Sequence, residues 1–225
     1  MRLRRKKQLD QRLDACGKYI AAREENFYDL PAEQRNFTLD LRQLFGNDNP
    51  VVLEIGCGKG GFAIKCAAQF EKYNFLAVEK LSNVIVAGAE QAAAKRIPNL
   101  RFLNCSAENL RCYLAEHSVC AIALNFSCPF PKKTYANRRL TNAKFLKLYA
   151  ELLTEGGKVW QKTDDRDFFL YSLEQYRSCG YTVEMQTEDL HSLDCPNVTT
   201  EYEEKFSALG KKIFACVASP FKAEK

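Results

Sequence analysis

Short apolar runs alternate with stretches of helical periodicity along most of the chain. Seven runs predict β-strands, and the segments between the first six strands carry apolar residues at helical spacing. The predicted strands are VVLEIG, NFLAVEK, LRFLNC, VCAIALNFS, KVWQKT, YTVEMQT and KKIFACVA. The predicted helices are GGFAIKCAAQF, VIVAGAEQAAAKRI, AENLRCYLAE and residues 141–153 and 165–179. This alternation predicts an α/β fold: a mostly parallel seven-stranded sheet with helices on both faces and an antiparallel edge strand.

The two ends of the chain differ from this alternating region. Residues 1–25 are basic and predict an N-terminal helix or arm, with Leu9, Leu13 and Ile20 among its apolar contacts. We expect the positive charges of residues 2–7 to contact phosphates. Residues 26–218 are expected to form a single domain, and residues 219–225 a frayed C-terminus.

Composition narrows the class of protein. The chain has 225 residues, of which 46% are hydrophobic, and its net charge is +5. No apolar run approaches the ~18 residues of a membrane span, and the N-terminus lacks the features of a signal peptide. No two of the ten cysteines have the close spacing of zinc or redox pairs, and the two histidines are far apart in sequence. We therefore expect a soluble cytoplasmic protein with reduced thiols and no metal, either a monomer or a homodimer.

A glycine-rich segment follows the first predicted strand. Gly56 and Gly58 lie between a strand and a helix, where glycine lets a ligand approach the backbone closely. Glu79 ends the next strand, where a carboxylate can accept hydrogen bonds from both hydroxyls of a ribose. The same pattern fits a dinucleotide, S-adenosylmethionine or a plain structural turn.

Three features favour S-adenosylmethionine. Glu54, two residues before Gly56, would repel a pyrophosphate but suits a cationic methionine moiety. Lys59 occupies a position that no phosphate signature requires. No second nucleotide-binding half follows, since the fourth strand leads into a basic loop that contains prolines.

That loop, CPFPKKTYANRR, is at the expected ligand-binding edge of the sheet. Its lysines and arginines alternate with Phe130 and Tyr135, a mixture typical of nucleic-acid binding. The alternative is a solvated lid over the cofactor.

The chain resembles the tRNA (guanine-N7-)-methyltransferase family over about residues 20–218. The resemblance rests on LEIGCG, the glutamate after the second strand, NLR, NFSCPFPKK followed by RRL, KTD and TEYEEKF. It implies a Rossmann-like class I methyltransferase fold, S-adenosylmethionine as cofactor and tRNA as partner. The implied reaction is methyl transfer to N7 of a guanosine in the variable loop of tRNA.

The resemblance also implies roles for individual residues. The cofactor would contact Glu54, Gly56, Gly58, Glu79, Ser106 and Cys128. The guanosine would contact Lys132, Asp164, Thr200, Glu201, Tyr202 and Glu203. Two simpler interpretations remain open, because Asp164 could cap the helix that follows and Glu203 could be a surface acid.

Two departures from the family pattern bear on the expected site. Cys128 replaces an aspartate to which the resemblance assigns a catalytic role, and Ser106 replaces an aspartate near the adenine. Two alternative functions follow: a tRNA-binding protein with weak or lost catalysis, and a methyltransferase for another substrate. Guanine N7 carries a lone pair and no proton, so the expected reaction needs alignment of the reacting atoms rather than a strong base.

Overall fold

The computed structural model describes residues 5–24 and 35–220, which contain seven α-helices and eight β-strands. The helices are α1 (Leu9–Ala15), α2 (Leu41–Phe45), α3 (Gly61–Gln69), α4 (Ser82–Ala94), α5 (Ala143–Leu152), α6 (Arg166–Ser178) and α7 (Glu201–Ala208). The strands are β1 (Ile20–Arg23), β2 (Val51–Ile55), β3 (Asn74–Val78), β4 (Leu100–Asn104), β5 (Val119–Asn125), β6 (Leu153–Thr163), β7 (Tyr181–Thr187) and β8 (Phe214–Pro220). None of the described helices combines the length and the apolar character that crossing a lipid bilayer requires.

The chain divides into two compact units, the first ending at Ala115 and the second beginning at Glu116. Strands of the first unit follow the order β1–β4–β3–β2, and all neighbouring pairs are parallel. Strands of the second unit follow the order β5–β6–β8–β7, in which β8 is antiparallel to both of its neighbours. The predicted division into an arm, residues 26–218 and a C-terminal end stays a prediction, and residues 1–4, 25–34 and 221–225 lie outside the described residues.

All seven predicted strands are present, and the additional strand is β1. The sequence predicts a helix through Ile20, but the helix ends at Ala15 and residues 20–23 pair with β4. The segment AENLRCYLAE likewise forms only a short 3₁₀ helix, Ala107–Cys112. The predicted antiparallel pairing is present, although the reversed strand β8 lies between β6 and β7 rather than at the edge.

Ion pairs hold β1 and α1 in the first unit. The guanidinium of Arg23 on β1 donates to the carboxylates of Asp10 and Asp14, at 2.9 Å each. The guanidinium of Arg12 on α1 donates twice to Glu90 on α4, at 2.6 and 2.7 Å. These contacts fix the N-terminal segment beside β4, so that the residue after β1 reaches the carboxyl end of that strand.

The loop between β2 and α3, which we call the glycine loop, packs closely on β4. A Cβ atom on Gly60 would come within 2.6 Å of the Phe102 ring, and one on Gly88 within 2.6 Å of the Lys59 carbonyl oxygen. Gly60 also has a positive φ of 73°, which disfavours a side chain. The loop can therefore approach α4 and β4 this closely only with glycine at both positions.

Candidate active site

In the first unit, the loop after β2 has the geometry expected of a ligand-binding turn. Gly56 and Gly58 have φ values of 80° and 59°, which glycine adopts readily. The amides of Gly56 and Cys57 donate to the Val78 carbonyl oxygen, at 2.8 and 2.9 Å. A Cβ atom on Gly58 would meet nothing within 4 Å, so this side of the loop is open to a ligand.

Glu79 ties this loop to the start of α4. One carboxylate oxygen accepts from the Gly58 amide at 3.3 Å, and the other accepts from the Leu81 amide at 2.9 Å. Its carbonyl oxygen accepts from the Asn104 side chain at 2.7 Å. The structure thus brings together Gly58 and Glu79, two of the residues predicted to bind the cofactor. The backbone contacts fix the direction of the carboxylate, and its remaining lone pairs can accept from hydroxyls.

Glu54 is buried near the end of β2, with 5% of its surface exposed. Its charge affects the neighbouring thiol: burial first, and then the carboxylates of Glu54 and Glu79, raise the pKa of Cys57 well above its usual value. A buried carboxylate beside an open glycine loop favours a cationic ligand over an anionic one. A sulfonium-bearing amino acid next to Glu54 and a ribose next to Glu79 match this set of groups, so the residues present fit S-adenosylmethionine.

Ser106 follows β4 and precedes the 3₁₀ helix Ala107–Cys112. Its amide donates to the carboxylate of Glu24, which also accepts from the side-chain amide of Asn109. Sequence reasoning missed Glu24 because the segment before it was assigned to a helix. The pairing of β1 with β4 brings this acid to the site.

In the second unit, Cys128 is exposed in the loop after β5. Next to it, the Ser127 hydroxyl is buried and has no hydrogen-bond partner among the described residues. Phe126 and Phe130 have positive φ values of 50° and 43°, which are unusual for aromatic residues. The backbone is therefore strained on both sides of Cys128, and such strain persists only where the surrounding structure maintains it.

Arg139 maintains the shape of this loop. Its guanidinium donates to the carbonyl oxygens of Pro129 and Phe130, at 2.8 and 3.1 Å, and lies 4.2 Å from the Tyr171 ring centroid. Arg138 lies 5.1 Å from the Phe130 ring centroid and 5.6 Å from that of Tyr135. Two of the arginines that suggested nucleic-acid binding from the sequence thus also make contacts that hold the loop.

Lys132 and Lys133 are exposed at the start of the 3₁₀ helix Lys133–Arg138. Their position leaves the ammonium groups accessible to a nucleic-acid phosphate.

Asp164 does not cap α6. The cap is Asp165, whose carboxylate accepts from the Phe168 amide at 2.8 Å. Asp164 instead accepts from the ammonium group of Lys211 at 2.7 Å, and its side chain is only partly buried. The capping interpretation of Asp164 is therefore wrong, and this carboxylate remains available for a substrate contact.

Glu203 is not a surface acid, because its side chain has 0% of its surface exposed. It accepts from Lys162 and His191 at 2.9 Å each and from Asn197 at 2.6 Å. Burial alone would raise the pKa of Glu203, but the hydrogen bonds from these three side chains outweigh it and lower the pKa. Sequence reasoning missed all three partners, because they are distant from Glu203 in the sequence or lie in loops without a recognisable pattern.

The other residues of TEYEEKF divide into structural and accessible positions. Thr200 caps α7: its hydroxyl accepts from the Glu203 amide at 2.9 Å, and Glu203 accepts from the Thr200 amide at 3.4 Å, forming a capping box. Glu201 is exposed, and Tyr202 has 60% of its surface exposed. The Tyr202 ring stacks on Phe126, with centroids 6.3 Å apart, so it links α7 to the strained loop after β5.

Comparison with known proteins identifies relatives of this chain. A sequence family described as putative methyltransferase matches residues 48–216. The tRNA (guanine-N(7)-)-methyltransferase of Geobacillus sp. (strain WCH70) is 38% identical over 96% of this chain and 94% of its own length. The enzyme of the same name from Geobacillus thermodenitrificans is 42% identical over 78% of this chain and 82% of its own length.

Solved structures support the fold. The 16S rRNA methyltransferase KamB has a TM-score of 0.60 and 16% identity, covering 82% of this chain and 95% of its own. A phosphoethanolamine N-methyltransferase of Haemonchus contortus with bound S-adenosylhomocysteine has a TM-score of 0.51 and 15% identity, covering 81% of this chain and 51% of its own. The Rossmann-like α/β fold predicted from the sequence is confirmed. With its sequence matched over nearly its whole length, the chain belongs to the tRNA (guanine-N(7)-)-methyltransferase family.

Proposed function

We propose that this protein transfers the methyl group of S-adenosylmethionine to N7 of a guanosine in tRNA. The observation that carries the proposal is the similarity over 96% of the chain to a tRNA (guanine-N(7)-)-methyltransferase. The geometry of the glycine loop, with Glu54 and Glu79 beside it, supports the cofactor. The basic loop CPFPKKTYANRR and the TEYEEKF segment resemble those of the family. This resemblance supports the variable loop of tRNA as the site of modification.

The cofactor supplies an electrophilic methyl group on a positively charged sulfur. The protein would hold guanine N7 in line with this methyl group, so that the N7 lone pair could form the new bond to carbon while the electron pair of the carbon–sulfur bond stayed on sulfur. N7 has no proton to lose, so no general base is needed and the protein contributes mainly orientation. The purine becomes positively charged, which carboxylates close to it can stabilise.

In the first unit, Glu79 would orient the ribose while its backbone contacts keep the carboxylate in place. Gly56 and Gly58 would let the cofactor lie against the backbone, and the buried charge of Glu54 would attract its methionine end.

In the second unit, we propose that Asp164 and Lys132 contact the nucleoside and that the Tyr202 ring offers a stacking surface. Tyr202 is both exposed and stacked on Phe126, and an aromatic face can stack on a base. Glu203 is fully buried, so its contribution to the guanosine site is to order Thr200, Glu201 and Tyr202. Cys128 would adjoin the reacting atoms, where a thiol offers only a weak hydrogen bond.

The test is direct. Bulk tRNA lacking N7-methylguanosine is incubated with the protein and methyl-labelled S-adenosylmethionine, and the nucleosides are then separated. Label in 7-methylguanosine supports the proposal. Label in another nucleoside would contradict the assigned position, and tight tRNA binding without methyl transfer would indicate a binding protein that has lost catalysis.

A further inference from the structure

The order of strands in the first unit predicts where the base of the cofactor lies. Strands β2, β3 and β4 are adjacent and parallel, so their carboxyl ends lie side by side at one edge. Glu54 near the end of β2 suits the methionine end, and Glu79 after β3 suits the ribose. The base is attached to the ribose on the side away from the methionine, so it reaches the carboxyl end of β4.

Ser106 lies at that end of β4, and its hydroxyl lacks the negative charge that would strengthen a hydrogen bond from the amino group of an adenine. A carboxylate is nevertheless present, because β1 pairs with β4 and Arg23 lies opposite Asn104. The next residue, Glu24, donates its amide to the Asn104 carbonyl oxygen at 2.8 Å. Its half-buried side chain then accepts from the Ser106 amide and the Asn109 side chain.

We propose that Glu24 recognises the adenine base by accepting a hydrogen bond from its exocyclic amino group. The inference rests on the proposed function, since it assumes S-adenosylmethionine as cofactor. An ionised carboxylate offers about four acceptor sites. Ser106 and Asn109 donate to this carboxylate and fix its orientation, and a carboxylate with these two partners can still accept a hydrogen bond from the base.

This arrangement gives the pocket a reason to prefer adenine. The amino group of adenine donates to the carboxylate, whereas hypoxanthine has an oxygen at the same position and would be repelled. A glutamine in place of Glu24 keeps the length of the side chain, loses the charge and can donate to that oxygen. The structure therefore predicts a change of base preference, which simple loss of a structural contact would not produce.

The experiment measures binding of S-adenosylhomocysteine and S-inosylhomocysteine to the full chain by calorimetry. The unaltered protein is expected to bind the adenosine compound at least about tenfold more tightly, which is the range of one hydrogen bond to a charged group. The substitution Glu24→Gln is expected to weaken binding of S-adenosylhomocysteine and to strengthen binding of S-inosylhomocysteine. The matched control is Glu90→Gln, which weakens another attachment of the N-terminal segment and should leave the ratio of the two affinities unchanged.

Several outcomes would overturn the inference. These are equal affinities in the unaltered protein, an unchanged ratio in Glu24→Gln, or tighter binding of the adenosine compound by Glu24→Ala. The last result would mean that the carboxylate only occupies the place of the base until the cofactor enters. If the unaltered protein bound neither compound, the proposed function would fail together with this inference, whereas the other outcomes contradict the inference alone.

Discussion

Lys162 and Glu203 form an ion pair of 2.9 Å in which the lysine side chain is 14% exposed and the glutamate is not exposed at all. The lysine belongs to β6 and the glutamate to α7, so the pair joins the TEYEEKF segment to a central strand of the second unit. His191 and Asn197 each donate a further hydrogen bond to the Glu203 carboxylate. This network sets the position of every residue that the resemblance assigns to the guanosine site in α7.

Replacing Lys162 by methionine should destabilise the protein strongly. The substitution leaves the buried Glu203 carboxylate without its cationic partner, which costs about 3–5 kcal/mol in comparable pairs. Urea denaturation measures the decrease in the free energy of unfolding. The control is Lys158→Met on the same strand, because the ion pair of Lys158 with Glu184 is more exposed and should cost about 0–1 kcal/mol. Equal losses in the two variants would contradict the role of the network.

The lowered pKa of Glu203 predicts a dependence of stability on acid. The ordinary pKa of a glutamate is 4.5, and the folded-state pKa of Glu203 lies below it. Between these two values the unfolded chain binds more protons than the folded one, so stability decreases as the pH falls through this window. The contribution of Glu203 is fully present above pH 4.5 and lost below its folded-state pKa. Unfolding followed from pH 6 to pH 3 should show a flatter acid limb in Glu203→Gln, and an unchanged limb would assign the acid sensitivity to other groups.

Glu79→Ala should weaken cofactor binding by about 1–3 kcal/mol, because the ribose hydroxyls lose their acceptor. The same change also removes the acceptor of the Gly58 and Leu81 amides. The variant Glu79→Gln helps to separate this effect on the loop from the loss of the ribose contact. Calorimetry with S-adenosylmethionine measures the affinity. Glu71→Ala, at an exposed acid in the same unit, is the control and should bind normally. Normal affinity in Glu79→Ala would exclude a contact with the ribose.

Cys128→Asp should accelerate methyl transfer. A carboxylate at this position would attract the sulfonium and stabilise the charge that develops on the guanine. We expect an increase of about tenfold in the single-turnover rate, equivalent to about 1.4 kcal/mol. Cys195→Asp is the control, since Cys195 is also an exposed thiol of the second unit. A slower Cys128→Asp protein of normal stability would show that the site is adapted to the thiol, with the buried Ser127 hydroxyl as the first group to examine.

Sequence patterns predict the parts of the fold that depend on local order. Strands β2, β3 and β4 are short, mainly apolar runs that are buried at every position except Val52, and the glycine loop and Glu79 follow the ends of β2 and β3. Strand β1 was missed because IAAR is short, rich in alanine and continuous with a helical segment, so that only pairing with β4 defines it. The same limit applies to Glu203, whose partners meet it only in the folded chain.

The choice between Asp164 and Asp165 as the cap of α6 shows a second limit of prediction from sequence. Both acids precede α6, and either could cap it by sequence alone. The structure assigns the cap to Asp165 and pairs Asp164 with Lys211, a residue that no local pattern connects to it.

The pairing of β1 with β4 has a consequence for the order in which the protein is made and assembled. Glu24 leaves the ribosome before Ser106, to which it binds and which is 82 residues further along the chain. Because synthesis proceeds from the N-terminus at about 5–20 residues per second, the first strand must wait several seconds for its neighbour. The segment that ends at Glu24 is synthesised before β2, β3 and β4 but is thus among the last of its unit to reach its place. A nascent chain halted shortly before β4 emerges should already contain β2 and β3, while residues 5–24 remain accessible to proteases.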